Sequence, residues 1–320
     1  MSEALPVDNS ESYDSILSKL YAEYYSASSN HSEVTSSHWR QVGSCAVKAK
    51  GGRYIVSGAG FGAFRTRNLL QWVVSIPERI LLSRLLRKHN CPDCLFEAGK
   101  AIAKRSGHLP AFDHIKQILS IHTILKVLGG GLSFTAQGIS RICVIGDGYG
   151  FLSGFLKEID PSIKVLVVNL GRTLFFDVLY LKRCFPAEKA VLLNEKNKEQ
   201  LESSQGISFL QAEDYSCLKN LNIDLYINIA SMQEMDPVVT DRYFEYMRTS
   251  RADPCWLYCC NREEKQLPDG TMTRFADYDW GNCEVFLDEL CPWYQKYPAS
   301  IPPFWRPFDG LFRHRIVRIR

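Results

Sequence analysis

The second half of the chain alternates short apolar runs with segments of helical period, and this alternation constrains the fold more than any other feature. Apolar runs occupy residues 141–145, 164–168, 207–210, 224–230 and 255–260, and helical patterns occupy residues 151–159, 174–185 and 239–249. Near-continuous apolar strands between helices are typical of a parallel sheet that is covered on both faces. We therefore expect an α/β, Rossmann-like sheet over residues 131–320. The alternating run 314–319 predicts a last strand at or near its edge.

Residues 1–130 are predicted to form a helical N-terminal region that ends at Gly129–Gly131 and that caps the site or forms a dimer contact. Apolar side chains recur at helical spacing from Tyr13 to Tyr25, and residues 67–88 and 111–128 also have a helical pattern. We expect the first of these helices to dock on its own domain, with a homodimer or partner contact as the alternative. The glycine-rich segment 51–64 lacks the Lys-Ser/Thr pair of a phosphate-binding loop and predicts a turn or a substrate-facing loop.

Composition excludes several classes of protein. The 320 residues are 46% hydrophobic and 23% charged, as in an ordinary folded protein. The 38 basic and 35 acidic residues are too balanced to argue for a nucleic-acid or membrane partner. The first residues are polar, no apolar run reaches the roughly 18 residues of a membrane span, and the cysteines number 11. These features predict a cytoplasmic protein with reduced thiols.

A zinc site is the alternative explanation for some of these cysteines. Cys91, Cys94, His108 and His114 have a spacing similar to that of a zinc finger. However, Pro110 falls between the two histidines, which a finger places on one helix, and a second Cys-x-x-Cys pair is missing. Zinc binding is therefore the less favoured interpretation, and it stays open for Cys91 and Cys94.

The sharpest local signal is the glycine turn Gly146-Asp147-Gly148-Tyr149-Gly150, which follows a predicted strand and opens a predicted helix. Glycines allow a tight turn and let a ligand approach the backbone closely. The dinucleotide fingerprint G-x-G-x-x-G would require a third glycine where this chain has Phe151. The turn therefore predicts a nucleotide-type cofactor and disfavours a nucleotide-dependent oxidoreductase.

The spacing G-x-G-x-G resembles motif I of class I S-adenosylmethionine (SAM)-dependent methyltransferases. The resemblance implies that SAM is the cofactor and that its ribose is held at the end of the second strand. The residues implied to bind it are Gly146, Asp147, Gly148, Gly150, Asn169, Glu213, Asp214 and Ser231. Two departures stand out: Val144 replaces an acid two residues before the first glycine, and Asn169 offers an uncharged amide where a carboxylate is usual. They keep open the alternative of a catalytically degenerate methyltransferase fold that acts as a binding or scaffold protein.

Several later segments together resemble a family of sugar O-methyltransferases, over about residues 140–320. The segments are Asn228–Pro237, Cys259–Gly270, Leu290–Gln295, Arg306–Gly310 and Arg313–Arg315. The resemblance implies transfer of a methyl group from SAM to a hydroxyl of a sugar or glycosylated small molecule.

A hydroxyl is a poor nucleophile while protonated, so a general base or a metal ion is expected near the reacting methyl. Glu234, after the fourth predicted strand, is the first candidate base, although it could instead cap the next helix. His314 is the second candidate. Gln233 is predicted to orient the substrate, and Asp269 and Asp309 to bind sugar hydroxyls. No compact metal motif joins these residues, so a divalent cation is an alternative that is not indicated.

Overall fold

The structure is a computed structural model that describes residues 12–25, 35–41, 46–50, 53–57, 65–66, 73, 75–204, 206–299 and 304–320. The helices are α1 (Tyr13–Tyr24), α2 (Ser37–Gln41), α3 (Ile76–Lys88), α4 (Asp93–Arg105), α5 (Phe112–Leu128), α6 (Phe151–Ile159), α7 (Gly171–Cys184), α8 (Gln200–Ser203) and α9 (Pro237–Arg248). The strands of the main sheet are β5 (Arg141–Ile145), β6 (Lys164–Asn169), β7 (Ala190–Leu193), β8 (Ile207–Gln211), β9 (Leu225–Ile229), β10 (Cys255–Arg262), β13 (Glu284–Leu290) and β16 (Phe312–Ile319). Short two-stranded pairs are formed by β1 (Ala46–Lys50) with β2 (Arg53–Ser57), β3 (Arg65–Thr66) with β4 (His108–Leu109), β11 (Glu264–Gln266) with β12 (Met272–Arg274), and β14 (Lys296–Pro298) with β15 (Trp305–Pro307).

The main sheet has eight strands in the order β13-β16-β10-β9-β5-β6-β8-β7. Strands β5 to β10 pair in parallel, and β16 runs antiparallel between β10 and β13. The predicted Rossmann-like α/β sheet with an N-terminal helical region is confirmed. The chain leaves β5 toward β6 on one side and returns as β9 on the other, so the strand order reverses at β5. In open α/β sheets such a reversal opens a crevice at the carboxyl ends of the strands.

Helices cover both faces of the sheet, as its apolar strands require. Side chains of α1, α4 and α5 share one core with α6, α7 and one face of the strands. On the other face, α9 packs through Val239, Tyr243, Phe244 and Met247. The N-terminal helices therefore do not enclose a core apart from the sheet.

Helix α1 forms as its spacing predicts. Ser12 caps it by accepting a hydrogen bond from the backbone N–H of Ser15 at 3.2 Å, and its apolar side chains Tyr13, Ile16, Leu17 and Leu20 are buried. They contact the sheet and α7 of the same chain, with the ring of Tyr13 6.2 Å from that of Phe209. This apolar face is thus covered by its own domain.

Some elements differ from expectation. The pattern over 67–88 predicts a helix that the structure has as Ile76–Lys88, and residues 67–72 lie outside the described ranges, as does the glycine-rich part 58–64. The last strand lies near the edge, as expected, and β13 pairs with its outer side. Strand β13 has few buried side chains, so its sequence lacks the apolar run of a core strand. Within the described ranges, no helix is both long and apolar enough to cross a membrane.

Candidate functional site

A cleft opens at the carboxyl ends of β5, β6 and β9, where the strand order reverses. The turn after β5 contributes Gly146, Asp147 and Gly148, and the turn after β6 contributes Asn169 and Leu170. The segment after β9 contributes Ala230, Ser231 and Glu234. Residues that are far apart in the sequence therefore meet at the edge that the sequence predicts.

The glycine turn depends on glycine at two positions. Gly146 has φ +76°, and a Cβ atom there would lie 2.1 Å from Oγ of Ser231. Gly150 has φ +81°, and its Cβ would lie 2.9 Å from the carbonyl oxygen of Asp177 on α7. Backbone in this left-handed region favours glycine, and neither site has room for a side chain. Gly150 lies behind the turn and does not line the cleft.

Asp147 fixes the start of α6. Its buried carboxylate accepts hydrogen bonds from the backbone N–H groups of Leu152 at 3.0 Å and Ser153 at 2.8 Å. Burial raises the pKa of this carboxyl, and the two hydrogen bonds oppose the rise. Asp147 thus satisfies donors at the helix end that would otherwise lack partners.

Asn169 ends β6 and faces the cleft, while its carboxamide is held from behind. Its Nδ2 donates to Oδ2 of Asp177 at 2.9 Å, and its Oδ1 accepts from the backbone N–H of Leu170 at 3.0 Å. Asp177 is fully buried, and burial, with the nearby Asp147, raises its pKa well above the usual range.

Glu213 and Asp214 do not line the cleft. Glu213 accepts a hydrogen bond from the backbone N–H of Gly171 at 3.2 Å, at the start of α7, and burial raises its pKa. The residue that β8 brings to the cleft is Ala212. The structure therefore places an apolar side chain where the sequence predicts acidic contacts.

Glu234 lines the cleft from the short 3-10 helix Met232–Glu234 that follows β9. Nζ of Lys265 is 2.7 Å from its Oε1, and Nε2 of His38 is 3.5 Å from its Oε2. Burial is the main cause that lowers the pKa of His38, although Glu234 opposes it. The N-cap residue of α9 is Asp236, so Glu234 does not occupy the capping position that was the alternative.

The N-terminal segment around α2 reaches Glu234, and no motif in the sequence singled out its residues. The hydroxyl of Ser36 donates to the backbone carbonyl of Glu234, and Trp39 lines the cleft beside it. Ser36 and Glu234 are 198 positions apart, and no local pattern signals such a contact.

Helix α5 contributes a polar cluster that sequence reasoning also missed, consisting of Asp113, Lys116 and Gln117. Nζ of Lys116 lies 2.6 Å from Oδ1 of Asp113 and 4.3 Å from the ring centroid of Tyr294, which also lines the cleft. Phe112 and Phe308 face the same ammonium group at 4.9 Å and 5.2 Å. An ammonium over aromatic faces is attracted by their quadrupoles. The three-residue spacing of Asp113 and Lys116 was the available signal, but it does not reveal which way the pair faces.

His114 lines the cleft from the same helix in its neutral form. Its Nδ1 accepts a hydrogen bond from the backbone N–H of Ala111 at 2.9 Å, and burial lowers its pKa to about 4. The neighbouring Asp113 raises the pKa and His108 lowers it, both less than burial does. Among the described residues, no group of three or more His, Cys, Asp or Glu could hold a metal ion, and each described cysteine is a free thiol.

Four other predicted site residues do not line the cleft. His314 is buried in β16, with Nδ1 3.2 Å from the hydroxyl of Tyr258. Gln233 is buried and binds backbone, since its Oε1 accepts from the N–H of Arg262 at 2.7 Å. Asp269 and Asp309 lie on exposed loops. These four side chains therefore lie outside the cleft that Glu234 lines.

Solved structures resemble this chain over part of its length only. Neither the known family models nor the curated proteins give a match. The structural alignment with the pyocyanin biosynthetic protein PhzM covers 63% of this chain and 54% of the PhzM chain, with 12% sequence identity and a TM-score of 0.38. The alignment with the mitomycin 7-O-methyltransferase MmcR covers 65% of this chain and 56% of the MmcR chain, with 12% sequence identity and a TM-score of 0.37. The alignment with the N-methyltransferase NodS from Bradyrhizobium japonicum, in complex with S-adenosylhomocysteine (SAH), covers 62% of this chain and 85% of the NodS chain. Its sequence identity is 10% and its TM-score is 0.38. The chain thus spans about half the length of the first two, and likenesses of this size carry no inference about its substrate.

Proposed function

We propose that this protein is a SAM-dependent O-methyltransferase whose acceptor is a hydroxyl of a sugar or glycosylated small molecule. The observation that carries the proposal is the meeting, in one cleft, of the glycine turn after β5 and of Asn169 after β6. At the reversal point of an open α/β sheet, these two turns are where a nucleoside cofactor is seated. Because SAM has no pyrophosphate, a turn with Phe151 in place of a third glycine suits it.

The cofactor would lie along the wall formed by the turns after β5, β6 and β8. The exposed backbone of Gly146 and Gly148 would accept its amino-acid part, and the carboxamide of Asn169 would meet its ribose. Ala212 and Leu170 offer apolar surface to a base. This assignment follows the order of the strands and uses no acidic adenine contact.

The acceptor would lie against the opposite wall, between helix α5 and the segment after β9. This wall combines aromatic faces, Tyr294 and Trp39, with the ion pair of Lys116 and Asp113. Aromatic faces stack on sugar rings, and paired opposite charges leave little net charge for an ionic ligand. A neutral, hydroxylated acceptor fits this arrangement better than a charged one.

The chain's own residues would place the hydroxyl and take its proton. SAM, when bound, supplies the electrophilic methyl group. Lys265 holds Oε1 of Glu234 at 2.7 Å, so we assign the hydroxyl proton to Oε2, beside His38. Correct placement of two reacting groups contributes about 7–11 kcal/mol in favourable cases. No step needs a divalent cation.

Calorimetric titration with SAM, SAH and NAD tests the cofactor assignment. Saturable binding of SAM and SAH is expected. Binding of NAD alone would favour an oxidoreductase, and binding of none of them a scaffold protein. Transfer of a tritiated methyl group from SAM to a panel of methyl glycosides and of matched amino sugars then tests the acceptor. Label that enters only the amino group would overturn O-methylation. We also propose a cytoplasmic location, in keeping with buried free thiols such as Cys143 and Cys259.

A further inference from the structure

The residue that ends β6 is an amide, although sheets of this kind commonly use a carboxylate there to bind ribose hydroxyls. Asn169 cannot supply that charge. A carboxyl group nevertheless stands directly behind it, since Oδ2 of Asp177 accepts a hydrogen bond from Nδ2 of Asn169 at 2.9 Å. Asp177 comes from α7, eight residues later, and is fully buried.

The two contacts of the Asn169 side chain determine its orientation. Leu170 presents an N–H donor to Oδ1, and Asp177 presents an acceptor to Nδ2. A carboxyl group retains an acceptor oxygen whether or not it carries a proton. Turning the amide over would set two donors against each other at Leu170 and would point an oxygen at Asp177, which only a protonated carboxyl group could meet with a hydrogen bond. The observed orientation is therefore the one that both neighbours favour.

In this orientation the amide keeps one N–H and one lone pair of Oδ1 beyond the bonds that hold it, and the residue lines the cleft. A vicinal diol accepts one hydrogen bond and donates another, which matches this pair. Asp177 also abuts the glycine turn, because its carbonyl oxygen lies 2.9 Å from where a Cβ of Gly150 would stand. One buried residue thus contacts both parts of the cofactor wall.

We propose that Asp177 is a positioning residue for the cofactor: it holds the carboxamide of Asn169 so that this amide binds the ribose diol of SAM. This inference rests on the proposed function. Asn169 then binds the ribose in place of the usual carboxylate, and the carboxyl group of Asp177 lies directly behind it.

The test compares SAH with an SAH analogue that lacks the 2′- and 3′-hydroxyl groups. Calorimetry is run on the wild type, Asp177→Asn, Asn169→Ala and the double variant, with thermal unfolding as the check on folding. The amide of D177N can turn either its oxygen or its NH₂ group toward Asn169, so it holds the carboxamide less strictly than a carboxyl group does, and only Leu170 then favours the observed orientation. We expect D177N and N169A each to weaken SAH binding about tenfold, the double variant to be no worse than N169A, and binding of the analogue to change less than about twofold. Asp177→Ser serves the same purpose if D177N does not fold.

A folded D177N that binds SAH as well as the wild type would overturn the inference. So would equal weakening of SAH and the analogue, because a purely structural defect does not depend on the ribose hydroxyls. Failure of the wild type to bind SAH is a different result, since it would remove the proposed function and this inference with it.

Discussion

The two walls of the cleft are built in different ways. The cofactor wall consists of backbone turns and of side chains that are bonded within a few residues of their own position, such as Asp147 to Leu152 and Ser153. The acceptor wall consists of side chains from distant parts of the chain. Glu234 meets Lys265 and His38 there, and Lys116 meets Tyr294. Each turn of the cofactor wall is held by contacts close in the sequence, whereas the acceptor wall depends on contacts between distant segments.

This difference separates what each wall can do. A wall of backbone groups offers the same surface in any chain that makes the same turn, which suits a common cofactor. A wall of side chains from helices and the N-terminal segment can change residue by residue without altering the sheet. Substitutions on the cofactor wall should therefore affect folding and cofactor affinity together, and substitutions on the acceptor wall should affect turnover or acceptor binding without changing cofactor affinity.

The largest effect is expected from Glu234→Gln. An amide cannot accept the hydroxyl proton, and loss of a general base typically reduces turnover about 10²–10⁴-fold. SAH affinity should stay within about twofold of wild type, since Glu234 lies on the opposite wall. The measurement is methyl transfer from tritiated SAM under saturating acceptor. Asp269→Asn, on an exposed loop outside the cleft, is the control, and near-normal turnover of E234Q would remove Glu234 as base.

Gly150→Ala tests how far the cofactor wall depends on close packing. Alanine at φ +81° costs about 1–2 kcal/mol, and its Cβ, 2.9 Å from the backbone of Asp177, adds about 1–3 kcal/mol of overpacking. Gly148→Ala is the matched control, because Gly148 also has positive φ, +86°, but a Cβ there meets nothing within 4 Å. Urea unfolding of the ligand-free proteins should rank G150A clearly below G148A. Equal losses of stability in the two variants would mean that helix α7 shifts to accommodate the added Cβ atom.

The same contrast explains what the sequence predicted. The strands, the glycine turn and Asn169 depend on local periodicity and spacing, and the structure has them where expected. Glu213 was predicted from its position after a strand, but a nearby unpaired N–H, that of Gly171, binds its carboxylate instead. His38 and Trp39 carried no signal, because their role depends on where a distant segment crosses the fold. Lys116 sits on a correctly predicted helix whose cleft-facing side could not be deduced from its spacing.

His114, which lines the cleft, should make the stability of the protein depend on pH. Its folded-state pKa of about 4 lies below the value of 6.5 expected for the unfolded chain. The unfolded state therefore binds more protons between these values, and stability present above pH 6.5 is lost as the pH falls toward 4. This histidine should contribute a loss of about 2 kcal/mol between pH 7 and pH 5. Urea unfolding at both values should show that loss in wild type relative to His114→Gln. Identical pH dependence of the two proteins would contradict a buried neutral imidazole.

The smallest expected effect comes from Lys116→Met, which sharpens the comparison because it should separate the two ligands. Methionine keeps the apolar contact with Tyr294 but removes the charge that pairs with Asp113. We expect the KM for the acceptor to rise about tenfold, while the Kd for SAH changes less than about twofold. Lys100→Met is the matched control, because Lys100 has the same three-residue pairing, with Glu97, and a ring contact with Phe96 at 5.0 Å, but lies outside the cleft. If K116M weakened SAH binding as much as acceptor binding, helix α5 would have to be assigned to the cofactor wall instead of the acceptor wall.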